Sequence, residues 1–249
     1  MRSITAQIEE GASRLRVRHG VGRFIAYFQP STNTYAPVAQ LRALYEEALS
    51  CPGVVGLAIG TRPDCVPDDV LDLLAELAKR AWLVVEYGLQ SMHARSLAWM
   101  HRGHDFASFL DAVARSRKRG LAVGCHAILG IPGETRDDML ATAKAIAPHG
   151  LHSIKLHNLY AVRDTRFGEE VLRGEVRLPS RDEHVGWVCD FLEQMPPGCV
   201  VDRISGDAPR EYLIGPDWCL DKDGIRKAVS AEFRRRGTRQ GTAFTNASP

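Results

Sequence analysis

In this 249-residue chain, polar groups collect at the ends of short apolar runs. VVEYGLQS (84–91) is a β-branched stretch that hands over to Glu86, Gln90 and Ser91, and QPSTNT (29–34), TRPD (61–64), HAILGIPGET (126–135) and KLH (155–157) stand in the same relation to four other runs. Where strands alternate with helices, such ends share one rim. Ligands bind there because packed strands hold side chains while the loops vary. Two chemistries suit these residue types. Gly130 and Gly133 in LGIPGET let the backbone approach a planar or phosphate-bearing ligand, and Thr135 opens a helix whose N-terminus favours anions. Glu86, His126 and His157, a carboxylate and two imidazoles at strand ends, suit zinc in a barrel hydrolase. Each feature also has a structural role open to it: a strand histidine is more often a hydrogen-bonded core residue, and a tight strand-to-helix turn uses the same glycines.

The elements that must carry these residues are legible as apolar patterns. Strand-length runs FIAYFQ, VVGLAIG, LVVEYGLQ, AVGCHAILG and SIKLHNLY recur at about thirty-residue intervals. Between them lie helical stripes at Val38, Leu41, Leu44, Tyr45 and Ala48, and at Val70, Leu71, Leu73, Leu74 and Leu77. Pro37 and Pro67 suit a first helical turn. A short helix in HARSLAWM and a longer one in FASFLDAVARSRKRG, stopped by Gly120, fill the third connection. Thr135 with Asp138, and Ser180 with Glu183, read as helix caps. Five strand-helix repeats with near-continuous apolar strands predict a parallel sheet covered by helices. The pattern favours a barrel or open barrel and leaves a doubly wound sheet open.

Composition is average for a soluble globular protein: 45% hydrophobic, 25% charged, net charge +2. No apolar stretch reaches membrane-span length and MRSITAQIEE lacks a signal-peptide core, so a cytoplasmic protein without a membrane partner is expected. The six cysteines, at 51, 65, 125, 189, 199 and 219, form no Cys-x2-Cys or Cys-x3-Cys pair. They are expected to be reduced, mostly buried thiols. Residues 222–249 hold seven Lys or Arg against two acids. RRRGTR (234–239) could touch phosphate, although a solvated helix end accounts for it more simply.

YGLQS, MHRGH (100–104) and HAILGIPGET together resemble the radical S-adenosylmethionine (SAM) enzymes, and more narrowly the YhcC-like group related to the elongator catalytic subunit. TRPDCVPDDVLDLL, RGHDF, SIKLH and DRISGDAPR extend the likeness from about Arg2 to Gly241. The resemblance implies an α/β fold, a partial (β/α)6 TIM-like barrel, with SAM across the C-terminal ends of the strands. Carried over by position, Gln90 and Arg102 are the pair that contacts the cofactor's ribose and carboxylate. The backbone of Ile128 to Gly130 flanks adenine. His126 stands where relatives place an acid reaching the ribose, Thr32 or Thr34 where they place a segment for the methionyl amine, and Glu86 is a further cofactor-side candidate. Lys155 and His157, with Tyr160, are candidates for substrate contact. The elongator-like branch makes tRNA a plausible substrate and a flavodoxin- or ferredoxin-type protein the electron donor.

The family binds a [4Fe-4S] cluster through Cys-x3-Cys-x2-Cys after its first strand, and these 249 residues contain no such motif. RSITAQIEEGASRL matches the helix that follows that loop. The expectation is therefore a radical SAM core of residues 1–215 lacking its first strand and cluster ligands, followed by a basic extension, 216–249. Such a chain alone is not expected to bind the cluster. The alternative is a non-catalytic remnant that binds SAM or a partner, and a metal-dependent barrel hydrolase is a lesser one. The open edge of FIAYFQ is expected to invite pairing with another chain.

Overall fold

The computed structural model describes residues 2–245. Its elements are α1 (Ile4–His19), β1 (Phe24–Phe28), α2 (Val38–Ser50), β2 (Val54–Thr61), α3 (Asp68–Ala78), β3 (Trp82–Gln90), α4 (Ala94–Trp99), α5 (Phe106–Lys118) and β4 (Ala122–Leu129). There follow α6 (Arg136–Ile146), β5 (Ser153–Asn158), β6 (Ala161–Val162), α7 (Arg166–Leu172), α8 (Arg181–Gln194), β7 (Val200–Arg203), β8 (Leu213–Gly215) and α9 (Lys222–Arg236). One sheet has the order β1-β2-β3-β4-β5-β7, and β6 and β8 form a separate antiparallel pair. The chain divides into two compact units, Met1–Gly88 with Ala107–Gly124, and Leu89–Phe106 with Cys125–Pro249.

In the first unit, β1, β2 and β3 pair in parallel and their alternation separates two faces. Phe28 meets Tyr45 of α2 edge-on at 5.2 Å, and the Tyr87 hydroxyl lies 2.7 Å from Ser116 of α5, so these parities face the helices. The opposite parity, Tyr27, Ala58, Val84 and Glu86, lines the other face. All five apolar positions predicted for α3 are buried, each worth about 1.5–3 kcal/mol. Pro37 and Pro67 stand one residue earlier than expected, as N-caps with extended ψ, where their missing N–H costs nothing.

In the second unit β5 and β7 pair in parallel, and both expected capping boxes form, at α6 and α8. β7 and the β6–β8 pair were not legible: strands of two to four residues are too short to show a period. Residues 216–245, expected as a basic extension, pack on α8, and 246–249 lie outside the described residues. Arg236 is no solvated helix end. Its guanidinium meets Asp190 at 2.7 Å, Glu232 at 2.7 Å and Glu193 at 3.3 Å, and Arg136 completes the cluster on Asp190. Arg235 pairs with Glu232, so two of the arginines considered for phosphate are held by carboxylates.

Candidate functional site

On that other face of the first unit, the Tyr27 hydroxyl donates to Glu86 Oε2 at 2.8 Å, reaching across β2. Ala58 and Gly60 lie between them in register, and a methyl group at one and no side chain at the other leave the room that contact needs. Glu86 is 2% exposed, a carboxylate held in place by a hydroxyl from the edge strand. Tyr27 carried no signal of its own in the sequence beyond sharing Glu86's strand parity.

The loop after β1 is tightly built. The Asn33 side-chain amide donates to the carbonyls of Phe28 (3.1 Å), Pro30 (3.1 Å) and Gly60 (2.9 Å), while the Tyr45 hydroxyl donates to the Asn33 carbonyl at 2.6 Å. Burial pushes the Tyr45 hydroxyl's pKa up, so it stays a donor. Thr34 is buried, its hydroxyl bound to the Cys65 carbonyl at 2.5 Å and to the Thr61 hydroxyl at 2.6 Å. The Thr34 hydroxyl is thus bonded within the loop, whereas Thr32 is half-buried.

In the second unit, Gln90 ends β3 with φ +72°, a left-handed conformation that costs a non-glycine residue about 1–3 kcal/mol unless its surroundings impose it. They do. Ser91 Oγ donates to Glu134 at 2.5 Å, the His93 N–H donates to Ser91 Oγ at 3.1 Å, and the Met92 N–H reaches Thr142 at 3.4 Å. His93 Nε2 lies 3.0 Å from the Asp138 carbonyl, and Arg95 pairs with the Asp138 carboxylate at 2.7 Å. The Thr135 N–H, Arg95 and the Thr135 hydroxyl hold that carboxyl well below the usual range. The GLQS and GIPGET segments are thus one braced assembly. Sequence reading found the Thr135–Asp138 cap but not the Ser91–Glu134 bond, which joins residues 43 positions apart.

Along β4, Cys125, Ala127 and Leu129 are buried whereas His126 and Ile128 are half-buried, as is Gly130 beyond the strand end. Gly130 has φ +83°, and a Cβ there would stand 2.9 Å from the Trp187 ring, so only glycine fits. On β5, Lys155 and His157 share a parity. The His126 and His157 rings come together at 5.7 Å. Gly206 packs against His157, where a Cβ would stand 2.7 Å from Nδ1, and its N–H donates to Asn158 at 2.9 Å. Arg102 is half-buried, placed by a backbone bond to Leu97 and flanked by left-handed His101 and Gly103.

Gln90, Ile128 and Gly130 fit a SAM site: a polar group at a rigidly held strand end, and a half-open strand followed by a glycine where a base can lie. The cluster does not fit the described residues. No three His, Cys, Asp or Glu among them group to hold a metal, and this also removes the observation a zinc hydrolase needs. Five of the six cysteines are buried, and burial raises the pKa of the half-buried Cys65 thiol.

The sequence matches the Radical SAM superfamily over residues 3–146 and the Radical_SAM C-terminal domain over 151–235. It is 42% identical to YtqA of Bacillus subtilis, covering 97% of this chain and 75% of that protein, and 37% identical to YhcC of Escherichia coli, covering 89% and 71%. A tRNA uridine(34) acetyltransferase of Methanocaldococcus infernus is 27% identical over 72% of this chain and 32% of its own length. The solved structure of Methanocaldococcus infernus Elp3 with an N-terminal deletion superposes with TM-score 0.78 at 20% identity, over 95% of this chain and 59% of that one. That likeness carries the fold, the α/β partial barrel of the radical SAM type. The chain belongs to the radical SAM superfamily, in the group of YhcC and YtqA.

Proposed function

We propose that this chain forms the SAM-binding core of a radical SAM enzyme that modifies tRNA. The observation that carries the reading is the left-handed conformation of Gln90 at the end of β3, directly before the segment braced by Ser91, Glu134, His93 and Asp138. Gln90 and Arg102 hold the ribose and carboxylate of SAM, His126 adds a ribose contact, and the backbone from Ile128 to Gly130 flanks adenine. Thr32 and Glu86 are the polar candidates of the first unit, taken by themselves. Lys155 and His157 face the substrate. When bound, SAM supplies the adenosyl group on which the family's chemistry depends. The tRNA substrate is supported by the likeness to tRNA uridine(34) acetyltransferases, and a flavodoxin- or ferredoxin-type electron donor accompanies whatever holds the cluster.

Calorimetry of the purified chain with SAM tests the reading. Saturable binding is expected, weakened roughly tenfold, or about 1.4 kcal/mol, by Gln90→Ala with the melting temperature unchanged. A cooperatively melting chain that gives no heat with SAM would sink it. The alternative reading is a SAM- or partner-binding protein without radical chemistry. SAM binding without 5′-deoxyadenosine formation, after anaerobic reconstitution with iron and sulfide and addition of dithionite, would select it.

A further inference from the structure

Tyr35 is 82% exposed, although the loop that carries it is among the most tightly bonded in the first unit. Asn33 and Thr34, its two predecessors, are tied to β1, β2 and the β2–α3 connection by the amide and hydroxyl bonds described above. The Tyr35 N–H also closes a turn on the Thr32 carbonyl at 3.3 Å. A rigid loop thus holds a large aromatic ring in solvent, where its apolar area contributes nothing to the core.

The ring borders a cavity of about 630 Å³ that also takes in Pro37, Asp64, Val66, Pro67 and Arg115. Pro37, Val66 and Pro67 give it apolar walls. Arg115 is fixed by three edge contacts, to the Val66 carbonyl at 2.8 Å, to Asp111 at 2.7 Å and to Asp68 at 3.1 Å. A guanidinium held by its edges keeps its planar face as a stacking surface. Asp64 is neutralised by Arg62 at 2.5 Å, so the cavity has no unbalanced charge to attract a phosphate. Its chemistry suits a flat, neutral ring with polar edges. α2 begins at Pro37 without a side-chain cap; the Gln40 N–H turns back to the Pro37 carbonyl at 2.9 Å, which leaves the Val38 and Ala39 N–H groups at the helix start for solvent or for a ligand carbonyl.

We infer that this cavity receives one unpaired base of an RNA, stacked on Tyr35 beside Arg115. The inference rests on the tRNA reading above and adds to it a subsite on the β1–α2 and β2–α3 loops. Stacking on an aromatic side chain is worth about 1–3 kcal/mol per base and tolerates any base.

Fluorescence anisotropy of the full chain, with a labelled anticodon stem-loop and labelled oligouridylate as probes, tests it. Tyr35→Ala is expected to weaken binding roughly 5- to 100-fold. Tyr35→Phe and Tyr35→Trp keep the ring and should stay close to the wild type, and all three should melt as the wild type does because the side chain is exposed. Equal affinity of Tyr35→Ala and the wild type for both RNAs overturns the subsite alone. Equal losses in all three variants overturn stacking. A wild-type chain that binds SAM but neither RNA overturns the tRNA reading and the subsite together.

Discussion

His184 shows how far one buried side chain can set the response to pH. It lies in α8 with no exposure, its ring stacked on Trp218 at 4.9 Å and its Nε2 2.8 Å from the Ile204 carbonyl. Burial pushes its pKa down to about 4, with the carbonyl opposing. In the unfolded chain the imidazole protonates near its ordinary value of 6.5. Above that pH both states are neutral; as pH falls from about 6.5 towards 4 the unfolded state takes up the proton and stability is lost. Between pH 7.5 and 5 the loss is about 2 kcal/mol. His184→Gln can keep a hydrogen bond to Ile204 without titrating, so denaturant unfolding should lose about 2 kcal/mol less over that interval than the wild type. Identical pH slopes would contradict this. Residues such as His184, Tyr27 and Glu134 were not legible as partners in the sequence, since each acts on a residue 20 to 59 positions away.

Elements defined by local pattern followed the sequence closely. α3 buries its predicted stripe, Gly120 follows α5 with φ +75°, and both capping boxes close as their spacing requires. The docking of α9 on α8 was not visible, because the Arg236 cluster joins Asp190 and Glu193 of one helix to Glu232 of the other. Asp190 is buried, which alone would raise its pKa; Arg136 and Arg236 more than reverse that and hold it ionised. Arg236→Ala leaves this carboxylate with Arg136 alone among those guanidiniums and is expected to cost about 2–3 kcal/mol, read by thermal or denaturant melts. Faster amide exchange across α9 should accompany it. A variant that melts as the wild type does would show that the cluster adds no net stability.

At the scale of the molecule, β1 is an edge strand of the six-stranded sheet. Ile25 is 42% exposed and Tyr27 36%, and an apolar cavity of about 340 Å³ separates β1 from α1. An edge strand beside apolar surface is a template for strand addition. Sedimentation velocity is expected to show concentration-dependent association of the wild type, reduced by Ile25→Lys, which places a charge on that edge. A wild-type monomer at all concentrations would refute it.

Local composition determined the order of strands and helices, the helix caps and the rim positions of Gln90, His126 and Gly130, because period, capping and glycine conformations act over a few residues. Spaced motifs were sufficient for the family. Tertiary structure decided which partners these residues meet. It gave Thr34 to a buried hydroxyl pair and turned Arg236 inward, braced Gln90 through Ser91 and Glu134, and left Tyr35 in the open. Hydrogen bonds and ion pairs between residues tens of positions apart exist only once the chain has folded, and no local pattern encodes which of them form.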